Sequence, residues 1–402
     1  MKISANSKRC VLSPIRKFYP FSEKAKAQGK KVYHLNIGQP DLPTPEAFFE
    51  ATQAFSQKTL EYAPSPGMPV LLDAVQKYYE KLDVTLKTDD IFITTGGSEA
   101  LLYTCLSILD PGDEVIIPEP YYPNYRTFIN AAGGKICPLP TQPENGYRYC
   151  DREKIEGLIN ANTRAILLTN PGNPTGVMLS EAEMQMIADI ARKHNLYIIS
   201  DEVYREFCYD DSGRIPCMGR IQGIEDNLII VDSVSKRFSS CGARIGCAIT
   251  KNIDIQDALM KFCQSRLSVA TLDQIGAAAL YGVDDEYIRR SVREYRHRRD
   301  VCITGLRNIP GVMVEEPMGA FYVMVKLPVD DTDVFQEWLL TEFDDHGDTV
   351  MYAPGAPFYE TPGSGVDEVR IAYVLEENKL KRAIEILGLG IARYRKEKMG
   401  IE

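Results

Sequence analysis

Several things that would define a protein class are scarce in this sequence. The ten cysteines run from Cys10 to Cys302 without a single C-x-x-C pair, and only four histidines could assist them. A zinc site is therefore not expected, and no metal is assigned. No apolar run approaches about 18 residues, so a membrane span is not expected either. The start, Met1-Lys-Ile-Ser-Ala-Asn-Ser-Lys8, has none of the apolar stretch of a secretory signal, which leads us to expect a cytoplasmic protein with reduced thiols. Basic residues are in the minority: 46 Lys plus Arg against 56 Asp plus Glu leave a net charge of −10. That balance argues against a protein whose business is nucleic-acid phosphate. The run Arg293-Glu-Tyr-Arg-His-Arg-Arg299 is the local exception, and it reads as a solvated helix face. Internal repeats and low-complexity tracts are absent.

What is present is the material of an ordinary globular protein. The 402 residues are 44% hydrophobic and 25% charged, enough for two or three units, or one large domain with a smaller companion. Between about residues 90 and 250 a β-branched run, a turn rich in Gly, Pro or Asn, and an amphipathic stretch recur, which is the α/β rhythm. The strand candidates are 91–95, 114–117, 165–169, 196–200, 228–231 and 247–250. Several are apolar on both faces, as central strands of a parallel sheet are. Helices are expected over 99–109 and 180–194, the second opened by the capping box Ser180-Glu-Ala-Glu183. Beyond about residue 285 a long charged helix and short strands near 320–325 and 369–373 suggest a smaller unit. The first 40 or so residues, with Pro14, Pro20, Pro40, Pro43 and Pro45, look too irregular to stand alone and are expected to pack on it. Arg393-Tyr-Arg-Lys-Glu-Lys398 reads as an exposed helix end.

In an open parallel sheet, ligands bind beyond the carboxyl ends of the strands. After the strand at 91–95 comes Gly96-Gly97-Ser98-Glu99 and then a helix, either a tight turn or an anion cradle built from free amides and the helix dipole. After 165–169 comes Asn170-Pro-Gly-Asn-Pro-Thr-Gly176, an ordinary turn or a rigid mount for Asn173. After 196–200 comes Asp201-Glu-Val-Tyr204, where Asp201 is a helix cap or a functional acid. After 228–231 comes Asp232-Ser-Val-Ser-Lys236, followed by Arg244. Lys236 is a surface lysine or, at the end of a buried strand, a nucleophile. Together the strand ends carry an anion cradle, a lysine, an acid, an amide and a phenol. Those groups match a phosphorylated pyridine aldehyde: the lysine bonds the aldehyde, the acid keeps the ring nitrogen protonated, and amide and phenol hold the ring hydroxyl.

On these segments the chain resembles, nearly end to end, the class I aminotransferases of the aspartate aminotransferase family, which are pyridoxal 5′-phosphate enzymes of fold type I. The resemblance implies an α/β fold with a large domain holding a mostly parallel, doubly wound sheet over 45–285, and a smaller α/β domain from 1–44 and 286–402. It implies Lys236 as the Schiff-base lysine, Asp201 as the partner of the pyridine nitrogen, and Tyr204 and Asn173 as ligands of the ring hydroxyl. Gly97, Ser98, Ser233 and Arg244 match phosphate ligands, and Tyr122 in Glu119-Pro-Tyr-Tyr-Pro-Asn-Tyr125 matches the aromatic stacked on the ring. Arg370 in Asp367-Glu-Val-Arg-Ile-Ala-Tyr373 matches the arginine that grips the substrate α-carboxylate, a task suited to a two-pronged guanidinium. Gly38 in Leu35-Asn-Ile-Gly-Gln-Pro-Asp41 matches the backbone that closes over that group. Tyr62 resembles the tyrosine that reaches the neighbouring subunit's phosphate, which implies a homodimer with shared active sites.

The resemblance implies ping-pong transfer of an amino group from an L-amino acid, aspartate favoured, to a 2-oxo acid such as 2-oxoglutarate. The sequence departs from one aspartate-using branch where substrate choice is made: a lysine there follows the two glycines and holds the distal carboxylate, whereas this chain has Ser98. Arg266 in Gln264-Ser-Arg-Leu-Ser268 is either a replacement for it or part of a structural ion pair. Aromatic amino acids or alanine are alternative substrates, and β-lyase chemistry on the same fold is an alternative reaction. Ser233-Val-Ser-Lys236 also fits the S-x-x-K pattern of serine acyl-transfer enzymes, but no K-T-G follows it. A ligand-sensing regulator of this fold would need an added DNA-binding domain, for which the stretch before Gly38 is too short.

Overall fold

The computed structural model describes residues 1–10, 13, 16–210 and 215–401; Pro14 lies outside the described residues. Strand β1 is Lys31–His34. The large sheet is built from β2 (Ile91–Thr95), β3 (Glu114–Glu119), β4 (Lys135–Pro140), β5 (Thr163–Thr169), β6 (Tyr197–Asp201), β7 (Leu228–Ser233) and β8 (Ile245–Ile249). A second sheet takes β9 (Met313–Val314), β10 (Tyr322–Lys326), β12 (Ala353–Pro354) and β13 (Glu368–Ala372), while β11 (Asp348–Met351) pairs in parallel with β1.

The large sheet has the order β2-β8-β7-β6-β5-β3-β4. Strands β4, β3, β5, β6 and β7 run parallel, and β8 is antiparallel to both β2 and β7. Strand β4 went unrecognised in the sequence because prolines at 138 and 140 break its β-branched pattern; it lies at the edge, where a missing N–H is tolerated. Along the central strands, side chains alternate between two cores. Ile166, Leu168, Ile198 and Ile230 face the helices Pro69–Glu80 and Glu181–His194, and Ala165, Leu167, Ile199 and Val231 face Gly96–Ile108 and Ile253–Arg266. This period of two explains why the strands read as continuous apolar runs. The capping box at Ser180 forms in both directions: the Glu183 amide donates to the Ser180 hydroxyl, and the Ser180 amide donates to the Glu183 carboxylate.

A further core gathers Tyr295, Cys302 and Leu306 of the helix Asp285–Arg307, Phe335 and Trp338 of Thr332–Thr341, and Leu380, Ile384 and Leu387 of Glu377–Tyr394 around β10 and β13. Phe18 packs on Leu340 and Met351, whereas the helix Ala5–Arg9 lies against Asn124–Ala131, with Asn6 donating to the Ala131 carbonyl. The basic run at 293–299 departs from the solvated face expected of it. Tyr295, Arg298, Arg299 and Cys302 have the spacing of one helical stripe and are all buried. Arg298 is paired with Asp41 and Glu294, and Arg299 with Asp300 and Glu316, so the charges enter with their counter-ions. The C-terminal basic stretch is, as expected, largely exposed at Arg393, Lys396, Glu397 and Lys398, with only Tyr394 turned in against Phe335 and Trp338.

Strand β8 passes close under the loop after β2, and Gly246 makes this possible. A Cβ there would sit 2.6 Å from Gly96 C and Gly97 N and 2.8 Å from the Asp232 carbonyl. Backbone atoms cannot swing aside, so Gly246→Ala is expected to cost about 1–3 kcal/mol or more and to lower the thermal midpoint by several degrees. An unchanged midpoint would show that the sheet yields freely here.

Candidate active site

The strand order decides which loops meet. Asp201 lies beside Val231 on β7, Thr169 beside Asp201, and Ser233 beside Gly246. The carboxyl ends of β5, β6 and β7 therefore open at one edge of the sheet. Because β8 runs the other way, it begins where β7 ends, which brings Arg244 to the same edge as Lys236. These ends surround a cavity of about 1090 Å³. Gly38, Gly97, Ser98, Tyr122, Asn173, Asp201, Tyr204, Ser233, Lys236, Arg244 and Arg370 all line it, which leaves Tyr62 and Arg266 outside.

One end of the cavity is suited to an anion. The helix Gly96–Ile108 points its first amides there, Gly96 takes a left-handed φ of 72°, and a Cβ on Gly96 would strike the Arg244 guanidinium. Ser233 Oγ donates to the Ile245 carbonyl at 2.9 Å and shares a 2.7 Å hydrogen bond with Ser235. Arg244 donates one nitrogen to the Cys241 carbonyl at 3.1 Å and is otherwise open to the cavity.

At the other end, Arg370 is 2% exposed. Its Nη1 donates to Asn173 Oδ1 at 3.0 Å and its Nη2 to the Asn36 carbonyl at 2.7 Å, while Nε is buried with no partner. Between the two ends, Lys236 Nζ donates to the Gly38 carbonyl at 2.9 Å and lies 3.6 Å from Cys241 Sγ. Tyr122 receives a 2.7 Å hydrogen bond from Asn124, which fixes its ring at the cavity wall, and burial pushes its phenol up to about 12.

Asp201 is buried and accepts 2.6 Å from Tyr125 and 3.3 Å from the Val203 amide. Among the described residues it has no ion-pair partner. Burial is the main reason that its carboxyl is pushed up to about 6; Asp232 and Glu202 add to this, and the two donors oppose it.

A family profile for aminotransferases of class I and II matches residues 30–387. The chain belongs to that family. This aminotransferase is 33% identical to an aspartate aminotransferase of Pyrococcus horikoshii over 88% of the chain and 89% of the relative. It is equally 33% identical to a probable N-acetyl-LL-diaminopimelate aminotransferase of Bacillus subtilis, over 98% of the chain and 96% of the relative. The solved structure of a Thermus thermophilus aspartate aminotransferase mutant superposes with a TM-score of 0.88 at 28% identity, covering 97% of this chain and all of that one.

Two residues of this aminotransferase stand apart from the cavity. Tyr62 is 80% exposed. Arg266 donates to the Ser65 carbonyl at 3.0 Å and the Ile93 carbonyl at 3.3 Å and lies 3.5 Å from Glu99. In the single chain it forms the structural ion pair that was the alternative to a substrate-reading role.

Other residues of the aminotransferase site carried no sequence signal. Tyr125, quoted only as part of the aromatic run, is the hydroxyl that holds Asp201. Beneath the lysine lies a buried network: Arg237 donates to both Asp232 oxygens at 3.0 and 2.8 Å, Arg205 donates to Asp232 at 3.4 Å, and Arg205 pairs with Glu202 at 2.7 Å. Burial pushes Asp232 up, but the two arginines outweigh it and hold its carboxyl below the usual range. Asp232 and Arg237 flank the Ser233 to Lys236 turn, and Glu202 follows Asp201, so the network pins the backbone next to both Lys236 and Asp201.

The contrast between the paired Asp232 and the unpaired Asp201 gives a pH prediction. In an unfolded chain an aspartate titrates near 3.9; in the cofactor-free fold Asp201 titrates at about 6. The folded state therefore holds the proton longer, and Asp201 costs stability progressively as pH rises from about 4 to about 6. The cost levels off above that, at on the order of 2–3 kcal/mol. Asp201→Asn removes this term. The midpoint of the variant minus that of wild type, both freed of cofactor, should climb between pH 4 and 6 and then stay flat; a difference independent of pH contradicts the assignment.

Proposed function

We propose that this aminotransferase uses pyridoxal 5′-phosphate, bound in the cavity, to carry an amino group from an L-amino acid, aspartate favoured, to a 2-oxo acid such as 2-oxoglutarate. The observation that carries this reading is the pairing of an uncompensated buried carboxylate, Asp201, with a lysine amine that has no ion-pair partner among the described residues, both lining one cavity. A buried carboxylate in that state calls for a cation or an N–H⁺ donor. The protonated pyridine nitrogen supplies one. The glycine that leaves Arg244 its place, the helix N-terminus and Ser233 fit the phosphate, and the buried unpartnered Nε of Arg370 fits a carboxylate.

When bound, the cofactor supplies an aldehyde that joins amines and a protonated ring that draws electrons from the substrate α-carbon. The chain supplies the rest. Asp201 holds the proton on the ring nitrogen, Tyr204 and Asn173 orient the ring through its hydroxyl, and Tyr122 covers its face. Gly97, Ser98, Ser233 and Arg244 hold the phosphate. Arg370, released from the Asn36 carbonyl, grips the α-carboxylate, and the Gly38 backbone closes over it. Lys236 Nζ then carries the proton taken from the α-carbon.

For the substrate side chain, the support is charge. Besides the groups already given a task, the charged residues lining the cavity are Arg16 and Lys26, both cationic. An anionic side chain suits that mouth, and both curated relatives described above are named for substrates that carry a second carboxylate. Exposed Tyr62 is suited to reach a partner copy's phosphate in a homodimer with shared sites. The cores on the two faces of the large sheet support a large unit over 45–285, and the core around β10 and β13 supports a small one from 286–402 with part of 1–44, although Tyr204, Phe207 and Tyr209 join that core and the helix Ala5–Arg9 lies on the large unit.

Lys236→Ala is expected to lose the visible absorbance of bound cofactor and all turnover together; retention of either sinks the reading. In a panel of amino acids with 2-oxoglutarate, aspartate should lead alanine and phenylalanine in kcat/KM. Arg16→Ala with Lys26→Ala should narrow that lead about tenfold, the scale of one lost charge-assisted contact. Arg266→Ala should preserve the lead, since its guanidinium is committed to Glu99 and two carbonyls.

A further inference from the structure

Tyr322 touches three of the site residues, Arg370, Tyr204 and Gly38. It opens β10, is buried, and meets the three from a distant part of the chain. The Arg370 guanidinium lies over its ring, 4.4 Å from the centroid. Its hydroxyl is 2.9 Å from the Tyr204 hydroxyl and donates to the Gly38 carbonyl at 3.3 Å. A Cβ at residue 38 would overlap the Tyr322 hydroxyl and ring, so glycine there lets the two approach without either shifting.

We propose that Tyr322 is a positioning residue that ties the carboxylate clamp Arg370, the ring-hydroxyl ligand Tyr204 and the closing backbone at Gly38 into one geometry. This rests on the cofactor reading given above. A phenol has one proton to donate. A consistent chain runs from the Tyr204 O–H to Tyr322 oxygen and from the Tyr322 O–H to the Gly38 carbonyl, which also accepts from Lys236. Once Tyr204 turns its proton to the ring hydroxyl, its oxygen is free to accept from Tyr322. That donation strengthens Tyr204 as a donor and releases one of the two bonds on Gly38. The ring, meanwhile, keeps the planar guanidinium of Arg370 facing the cavity by a cation–π contact.

Two substitutions separate hydroxyl from ring. Tyr322→Phe keeps the stack and loses the proton. It should move the pH midpoint of the bound cofactor's visible band upward by about 0.5 to 1 unit, because Tyr204 donates less well, and leave the KM for the amino acid within about twofold. Tyr322→Leu loses the ring as well and should raise that KM about five- to tenfold with a smaller change in kcat. A third measurement needs no cofactor: Gly38→Ala should lower the thermal midpoint of the cofactor-free wild type clearly more than that of cofactor-free Tyr322→Leu, since the overlap is gone. An unmoved band in Tyr322→Phe, an unmoved KM in Tyr322→Leu, or additive midpoints overturns the proposal. If wild type binds no cofactor at Lys236, the cofactor reading fails instead, and the midpoint cycle still tests the coupling between Gly38 and Tyr322.

Discussion

Asp201 ends β6 at the centre of a sheet that is covered on both faces, and no lysine or arginine of the described chain pairs with it. A carboxylate in such a place costs folding free energy unless something cationic meets it. The rest of the site is organised around that cost. Tyr125 and the Val203 amide hold the two oxygens, the neighbouring strand ends bring Lys236 and Ser233 alongside, and a cavity large enough for a phosphorylated ring with a substrate opens above them. The fold keeps one charge unpaired and surrounds it with a place for the partner.

A few residues away the same chain does the opposite. Asp232, Glu202, Arg205 and Arg237 are as deeply buried, yet each is paired within 3.4 Å. Removing one partner there would strand a charge in the interior, which is far more costly than losing a surface pair. The network binds the turn carrying Lys236 to the segment following Asp201, so the reactive positions rest on a rigid base. Above them, Arg370 and Lys236 are held instead by hydrogen bonds to backbone carbonyls of the 36–38 loop.

The 36–38 loop and Arg370 come from the two ends of the chain. Residues 36–38 follow β1, which pairs with β11, and Arg370 sits on β13 beside β10. One side of the cavity is therefore assembled from these elements and the other from the ends of the large sheet's strands, and the cavity is where the two meet.

Much of this was legible in the residue order. Apolar runs punctuated by Gly, Pro and Asn identified the central strands, and the polar groups just after them identified Asp201, Asn173, Lys236 and the glycine cradle, because a local motif fixes what stands at a strand end. The edge strand β4 was hidden by its prolines, and the burial of Arg298 and Arg299 was hidden because their counter-ions Asp41 and Glu316 are remote in sequence. Tyr125 and Tyr322 looked like any aromatic in a run, since only a contact across 76 or 284 residues gives them meaning. Arg266 could be read as a substrate ligand or an ion-pair partner, and only the fold shows that within one chain it lies 3.5 Å from Glu99. What the sequence alone determined is the chemistry available, which depends on side-chain type and short spacing. Which groups face each other, and which charges remain unpaired, was decided by the strand order and by the antiparallel turn of β8, because hydrogen bonds and Coulomb forces act over a few ångströms of space.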